Sequence, residues 1–301
     1  MKQYSAQQTC ELLPFSPLVD ALAIALKETV TEQIICPERL TVPATDGKGV
    51  LMTMPSVGHD LMVTKLLTIF GGNPALHLPA IQGQVICAEA RSGRFLFSLD
   101  GPTVTMRRTS AVTMLGIRLL AGRKPQRVLI IGTGIQAVAH VQALSALYPG
   151  ITAVIRGRSH ERAAAFCTEH ATSALDLRPE GAHEAPFDVV ITVTSSTNVI
   201  YDQAPTPGCL VIGVGAYRTD MAEIGPLTIN GSDLYVDDLV GAPSEAGDLH
   251  QAGVDWARVR SLATVLEGTP RDPARPVVFK SVGCSAWDLA ACRVARMHGA
   301  A

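Results

Sequence analysis

Arg127-Val128-Leu129-Ile130-Ile131-Gly132-Thr133-Gly134-Ile135-Gln136-Ala137 is the stretch on which the fold turns. Val128 to Ile131 is a continuous apolar run, which suits a strand of a parallel sheet covered on both faces. Gly132 to Ala137 then fits G-x-G-x-x-[G/A], and the residues beyond read as a helix as far as Tyr148, stopped by Pro149-Gly150. A short glycine pattern arises by chance, but between a buried strand and a helix it has a physical task. Gly132 permits the tight turn, Gly134 lets a pyrophosphate reach the backbone, and the small Ala137 lets the helix lie close to the strand. The first N–H groups of the helix, around Ile135 and Gln136, then face the phosphates.

The rhythm continues outward from that turn. Thr152–Ile155 reads as a strand and the segment holding Ala163–Phe166 as a helix, with further strands at Val189–Val193, Leu210–Val214 and Leu234–Val236. Strands alternating with helices indicate βαβ units and a doubly wound parallel sheet, an α/β domain of Rossmann type. About 20 residues past the glycine turn, a site selective for NAD places an acid on the ribose 2′-hydroxyl. Here the sequence is Arg156-Gly157-Arg158-Ser159. Two guanidiniums and a hydroxyl suit a 2′-phosphate, so NADPH is the expected cofactor and NADH remains possible. The alternative is a pair of solvated surface arginines.

Toward the N-terminus the pattern changes. Phe15 to Thr29 places Leu18, Val19, Leu22 and Leu26 on one helical face. From Arg39 to Leu99 short apolar runs alternate with turn residues, and Val85–Ala90, Ser92-Gly93 and Phe95–Leu99 read as a hairpin. A helix is expected from Thr109 to Ala121, ended by Gly122-Arg123-Lys124-Pro125. The chain is therefore expected to divide into 1–121, an α+β substrate-binding and dimerisation domain, and 122–284, the dinucleotide-binding domain. A helix in the tail, 285–301, is expected to pack back on the first.

Composition narrows the function classes. The 301 residues are 47% hydrophobic and 17% charged, with a net charge of −2, so no general basic field exists to hold a nucleic acid. Seven scattered cysteines, none in a C-x-x-C, read as reduced thiols, and eight histidines show no metal-binding spacing. No metal is expected. No long apolar run precedes Pro14, and Ala21–Leu26 is far shorter than a membrane span of about 20 residues. No signal peptide and no membrane partner are expected, and the location expected is cytoplasmic.

A set of segments in fixed order resembles the ornithine cyclodeaminase/mu-crystallin family over nearly the whole length. They are Pro37-Glu38-Arg39, Lys65 ahead of Gly72-Asn73-Pro74, Thr105 to Ala111, Gly132 to Ala137, Val214-Gly215-Ala216, Glu223, Asp237-Asp238, Glu245 to Leu249, and Lys280 to Gly283. The resemblance implies that Arg39, Lys65 and Arg108 hold a substrate α-carboxylate, chemistry suited to two guanidinium forks and an ammonium. It implies that Thr109, Thr194, Val214 and Val282 line the cofactor, and that the chain forms a homodimer through its non-Rossmann domain. Lys65 lies in an apolar run, where an unpaired charge is costly. Arg107 and Arg108 are read as a helix start, where a cation is unfavourable unless an anion is present.

The sequence departs from the cyclodeaminases at Tyr217, where those lyases carry a catalytic Asp. A phenol with an ordinary pKa near 10 cannot act as a carboxylate at neutral pH. Tyr217 is kept as a candidate catalytic or pocket residue. Asp237, Asp238, Glu245 and Asp248 are read as caps and loop anchors rather than metal ligands. The expected activity is NADPH-dependent reduction of cyclic α-imino acids, Δ1-pyrroline-2-carboxylate to L-proline and Δ1-piperideine-2-carboxylate to L-pipecolate. The alternatives are an ornithine cyclodeaminase, an alanine dehydrogenase or open-chain ketimine reductase, and a non-catalytic crystallin-like NADPH-binding protein.

Overall fold

A computed structural model describes all 301 residues, which form two compact units. The first comprises Met1–Arg108 and Cys284–Ala301, the second Thr109–Gly283. The expected boundary at 121 is therefore displaced. Gly122 ends a helix, but that helix, Gly101–Leu120, is shared between the units, so a helix break and a unit boundary do not coincide. The helix also starts eight residues before Thr109. Asp100 caps it, its carboxylate accepting from the Thr103 N–H at 2.9 Å and the Thr103 hydroxyl at 2.6 Å. Arg107 and Arg108 thus lie two turns inside the helix, not at its start, and the helix dipole is not what sets their environment.

The first unit runs β1 (Lys2–Gln3), α1 (Ala6–Leu12), α2 (Phe15–Val30), β2 (Leu40–Pro43), β3 (Val50–Val57), β4 (Leu61–Ile69), β5 (Ile81–Glu89), β6 (Phe95–Asp100) and the first part of α3 (Gly101–Leu120). Its sheet has the order β1-β6-β5-β4-β3-β2 and is antiparallel except for the β1/β6 pair. Side chains alternate across a pleated strand, and β4 buries Leu61, Val63, Lys65 and Leu67 on one face. The C-terminal helix, Ser285–Met297, covers that face and packs on α2, β3 and β4. The opposite face carries Leu40, Val42, Leu51, Val57, Met62 and Leu66, between 38% and 58% exposed.

The second unit holds the rest of α3, then β7 (Arg127–Ile131), α4 (Ile135–Leu147), β8 (Thr152–Arg156), α5 (His160–Glu169), β9 (Asp176–Pro179), β10 (Val189–Thr192), β11 (Leu210–Gly213), β12 (Asp233–Val236), β13 (Val259–Ser261) and β14 (Val277–Lys280), with short helical turns between the later strands. The eight strands are all parallel in the order β13-β12-β14-β11-β10-β7-β8-β9. From β7 the chain winds first to β8 and β9, then returns to β10 on the other side. This is the doubly wound arrangement, with its switch point between β7 and β10, and ligands of such sheets bind at the carboxyl ends of the strands there. Leu129, Ile131, Val154, Val190, Val211 and Val278 are among the side chains of its core. No single helix of the chain is long and apolar enough to cross a membrane.

Candidate functional site

Two groups of residues carry chemistry, one in each unit. In the first unit Lys65 is 1% exposed on the covered face of β4, between Met54 of β3 and Val85 of β5. An ammonium so placed needs an anion. It has one in Asp288, fully buried in the first turn of the C-terminal helix, with Lys65 Nζ 3.0 Å from Oδ2 and 3.3 Å from Oδ1. Arg108 joins the same carboxylate, its Nε 3.7 Å from Oδ1. The helix that brings Asp288 is pinned to β3, where Ser56 Oγ donates to the Ser285 carbonyl at 3.0 Å and Ser285 Oγ to the Pro55 carbonyl at 2.5 Å. A helix N-terminus also favours the carboxylate.

One acid therefore serves two buried cations, with half-buried Arg39 close enough to add its repulsion. Burial pulls the Lys65 ammonium down to about 8, against the opposing pull of Asp288. The buried Nε of Arg108 has no hydrogen-bond partner. A cluster with surplus positive charge and an unused donor fits an incoming carboxylate. Arg107, its neighbour, is spent elsewhere: its Nε donates to the Leu13 carbonyl at 2.7 Å, and its guanidinium lies 3.9 Å from the centre of the Phe15 ring.

The titration of Lys65 gives a pH expectation. Above pH 8 the ammonium is lost, so affinity for a carboxylate ligand should fall as pH rises through that value. Bound carboxylate favours the charged form, so the limb in kcat should lie at higher pH than the limb in kcat/KM. Lys65→Met should remove both. For stability the sign is opposite: the folded pKa lies below the unfolded 10.5, so the unfolded chain holds more protons between pH 8 and 10.5, and raising pH across that window stabilises the fold through this group. Profiles of kcat and kcat/KM from pH 6 to 10 check the first point, and a wild-type limb that survives in Lys65→Met removes Lys65 from the account.

In the second unit the glycine turn stands at the switch point. Gly132 has φ +135°, and a Cβ there would sit 3.0 Å from the Val193 carbonyl oxygen at the end of β10, so only glycine fits. Gly134 precedes α4, no side chain caps that helix, and a Cβ on Gly134 would meet nothing within 4 Å. The exposed glycine thus leaves an open approach to an uncapped helix N-terminus, and this arrangement fits a pyrophosphate. Ala137 is fully buried. Ile135 is 65% exposed beside it, an apolar side chain left at the mouth of the turn.

Buried acids hold the neighbouring strand ends. Glu223 accepts from the Thr194 N–H at 2.6 Å, the Gly215 N–H at 2.6 Å and the Thr192 hydroxyl at 2.9 Å, joining the loops after β10 and β11. Those loops touch so closely that a Cβ on Gly215 would fall 1.8 Å from the Thr194 carbonyl oxygen. Val214 lies one residue before that contact. Asp248 in turn accepts from the Glu223 and Ile224 N–H groups and lies 2.9 Å from Lys280 Nζ. Asp237 accepts from the Val282 and Gly283 N–H groups and the Ser281 hydroxyl. These acids anchor loops, and no group of three metal-ligating side chains is assembled. Thr109 is 7% and Val282 8% exposed. Tyr217 is 41% exposed, with the Arg218 guanidinium 5.6 Å from its ring.

Of the two guanidiniums expected near a 2′-phosphate, one already has a partner within the protein. Arg156 is not an uncommitted cation: its Nε and Nη2 fork onto Glu180 at 2.6 and 2.5 Å. No local pattern announces this pairing, because it depends on the register of β8 beside β9. Arg158 is exposed and makes no ion pair, while Ser159 caps α5, accepting from the Arg162 N–H at 3.4 Å. Asp288 and Glu180 are the residues the sequence reading missed. A lone acid in the apolar run Ser285-Ala286-Trp287-Asp288-Leu289-Ala290-Ala291 was the available signal for the first.

A doubly wound sheet with a glycine turn at its switch point defines a dinucleotide-binding protein of Rossmann type, here with a second unit built around buried cations. The chain belongs to the ornithine cyclodeaminase/mu-crystallin family, whose model matches residues 4–298. It is 48% identical over 295 residues to a Delta(1)-pyrroline-2-carboxylate/Delta(1)-piperideine-2-carboxylate reductase of Azospirillum brasilense, covering 97% of this chain and 94% of that one. It is 47% identical over 295 residues to Delta(1)-pyrroline-2-carboxylate reductase 1 of Burkholderia multivorans, with the same coverage of 97% and 94%. The fold matches that of a Thermococcus litoralis Delta(1)-pyrroline-2-carboxylate reductase solved with NADH and L-proline, with a TM-score of 0.88 and 21% identity over 100% of this chain and 99% of that one.

Proposed function

We propose that this protein is an NAD(P)H-dependent reductase of cyclic α-imino acids, converting Δ1-pyrroline-2-carboxylate to L-proline and Δ1-piperideine-2-carboxylate to L-pipecolate. The observation that carries the reading is the buried Lys65–Asp288–Arg108 cluster, charged and shaped for a carboxylate, in a chain 48% identical to a reductase of that name. Arg39, Lys65 and Arg108 bind the substrate carboxylate. Asp288 holds Lys65 and Arg108 in place, and Lys65 keeps its proton through that contact. Fixing the carboxylate fixes the orientation of the C=N bond, the proximity part of catalysis. The ring nitrogen takes its proton from solvent before binding, so Tyr217 is a pocket residue and no donor is required of it.

Gly132–Ala137 would hold the dinucleotide, whose nicotinamide would supply hydride to the imine carbon. Ile135 and Gln136 offer backbone N–H groups to its pyrophosphate, Thr194 and Val214 lie on the loops Glu223 steadies, and Thr109 and Val282 complete the lining. Arg158 favours the 2′-phosphate of NADPH. A second copy of the chain covers the open face of the six-stranded sheet, where Leu51, Leu66 and Met62 are exposed, and the dimer works in the cytoplasm.

The test follows NADPH and NADH oxidation with both cyclic imino acids, beside ammonia release from L-ornithine, on protein whose mass is measured by light scattering. Imine-dependent oxidation at twice the monomer mass is expected. Ammonia from ornithine without imine reduction would establish a lyase instead, and a monomer would remove the sheet-face interface.

A further inference from the structure

We infer that Glu180 sets the cofactor preference of this protein, by cancelling the charge of Arg156 beside the place where the adenosine 2′-position would lie. The inference rests on the dinucleotide reading of the second unit and concerns only its choice between phosphorylated and unphosphorylated ribose.

The geometry follows from the parallel ladder. β8 pairs with β9 so that Ile155 faces Pro179, the last residue of β9, and the residues that follow these two are Arg156 and Glu180. The Glu180 N–H continues that ladder, donating to the Ile155 carbonyl at 2.9 Å. Both side chains therefore leave the sheet at its carboxyl edge together, 28% and 24% exposed, and meet in a two-bond fork. Such forks are rigid and strong. The fork takes Nε and Nη2, one of the two edges through which a guanidinium can grip a phosphate. Gly157 and Arg158 follow at once. Gly157 is packed against the glycine turn, since a Cβ there would lie 3.3 Å from Thr133 Cγ2. The segment thus has one guanidinium neutralised and one, Arg158, exposed.

An acid at the end of the second strand selects unphosphorylated ribose by bonding its hydroxyls. Glu180 comes instead from the third strand and acts on the phosphate through a cation. Its consequence is a graded preference: the pair Arg156–Glu180 is neutral toward the 2′-position, Arg158 is attractive, and the balance admits both cofactors.

The experiment measures dissociation constants of NADPH and NADH by fluorescence titration, without imino acid, for four proteins. Glu180→Gln keeps the side chain's size but not its charge, and should tighten NADPH relative to NADH by about tenfold, the effect of one nearby charge in a partly screened setting. Arg156→Ala leaves Glu180 unpaired and should weaken NADPH relative to NADH by a similar factor. The double variant removes both charges and should return to the wild-type ratio. NADH affinity itself should stay within about threefold throughout, because neither side chain is assigned a contact with the pyrophosphate. A ratio unmoved in both single variants, or a double variant that fails to return to wild type, would overturn the inference while leaving the dinucleotide site standing. Wild-type protein that binds neither cofactor would instead bring down the dinucleotide reading and this inference with it.

Discussion

Arg108→Ala should lower kcat/KM for either cyclic imino acid by roughly two to four orders of magnitude, because removing one partner of a buried charge pair costs about 3–5 kcal/mol. The side chain is 8% exposed, and its Nε lacks a hydrogen-bond partner in the protein. That donor, with the rest of the guanidinium, is what a carboxylate would satisfy. Arg108→Lys should recover only part of the loss, since an ammonium supplies a point charge and not a planar fork. The measurement is steady-state kinetics with NAD(P)H saturating, together with the dissociation constant of the cofactor in each variant. The cofactor constant should be unchanged. A kcat/KM equal to that of the wild type would take Arg108 out of the carboxylate site.

The second large effect is expected at Asp288. Asp288→Asn keeps the shape of the acid and removes its charge, leaving Lys65 beside Arg108 and Arg39 with no anion. Lys65, already pulled down to about 8 by burial, should then lose its proton below neutrality. The alkaline limb of kcat/KM should move to lower pH, and activity at pH 7.5 should fall by at least about tenfold, as the carboxylate loses a charged partner. Stability should fall too, by up to about 3–5 kcal/mol, the cost of a buried charge left alone. For a chain of this size that corresponds to roughly 6–20 °C in Tm. A structural role alone would also lower Tm, so the pH profile decides. Lys65→Met/Asp288→Asn, which removes both charges, should regain most of the lost stability and none of the activity. A limb that stays near pH 8 in Asp288→Asn would show that the acid does not govern Lys65.

Val128–Ile131 followed by Gly132-Thr133-Gly134 announces its own context, because strand, turn and helix are contiguous and each local preference agrees. Lys65 was legible as an anomaly, a charge in an apolar strand, and the structure resolves it with an acid 223 residues away. No spacing rule reaches that far. The start of α3 was misplaced at Thr109 although Asp100-Gly101-Pro102-Thr103 carries an N-cap acid and an early proline. Arg156 has a partner that its sequence does not announce. Its neighbours in sequence fit a phosphate site, but its partner lies on the adjacent strand, and strand register is a property of the folded sheet.

The acid that completes the carboxylate cluster lies in the last part of the chain, and this bears on how the protein is made. Thr109–Gly283 is continuous in sequence and can close its sheet as soon as it has left the ribosome. The unit emerging first cannot finish: the face of β4 that bears Lys65 has no cover until Ser285–Met297 is synthesised, about 220 residues later. Domains usually mature in order of emergence during translation. Here the order is inverted. The dinucleotide unit is the earlier of the two to become native, and Lys65 and Arg108 wait for their acid until Ser285–Met297 has been synthesised.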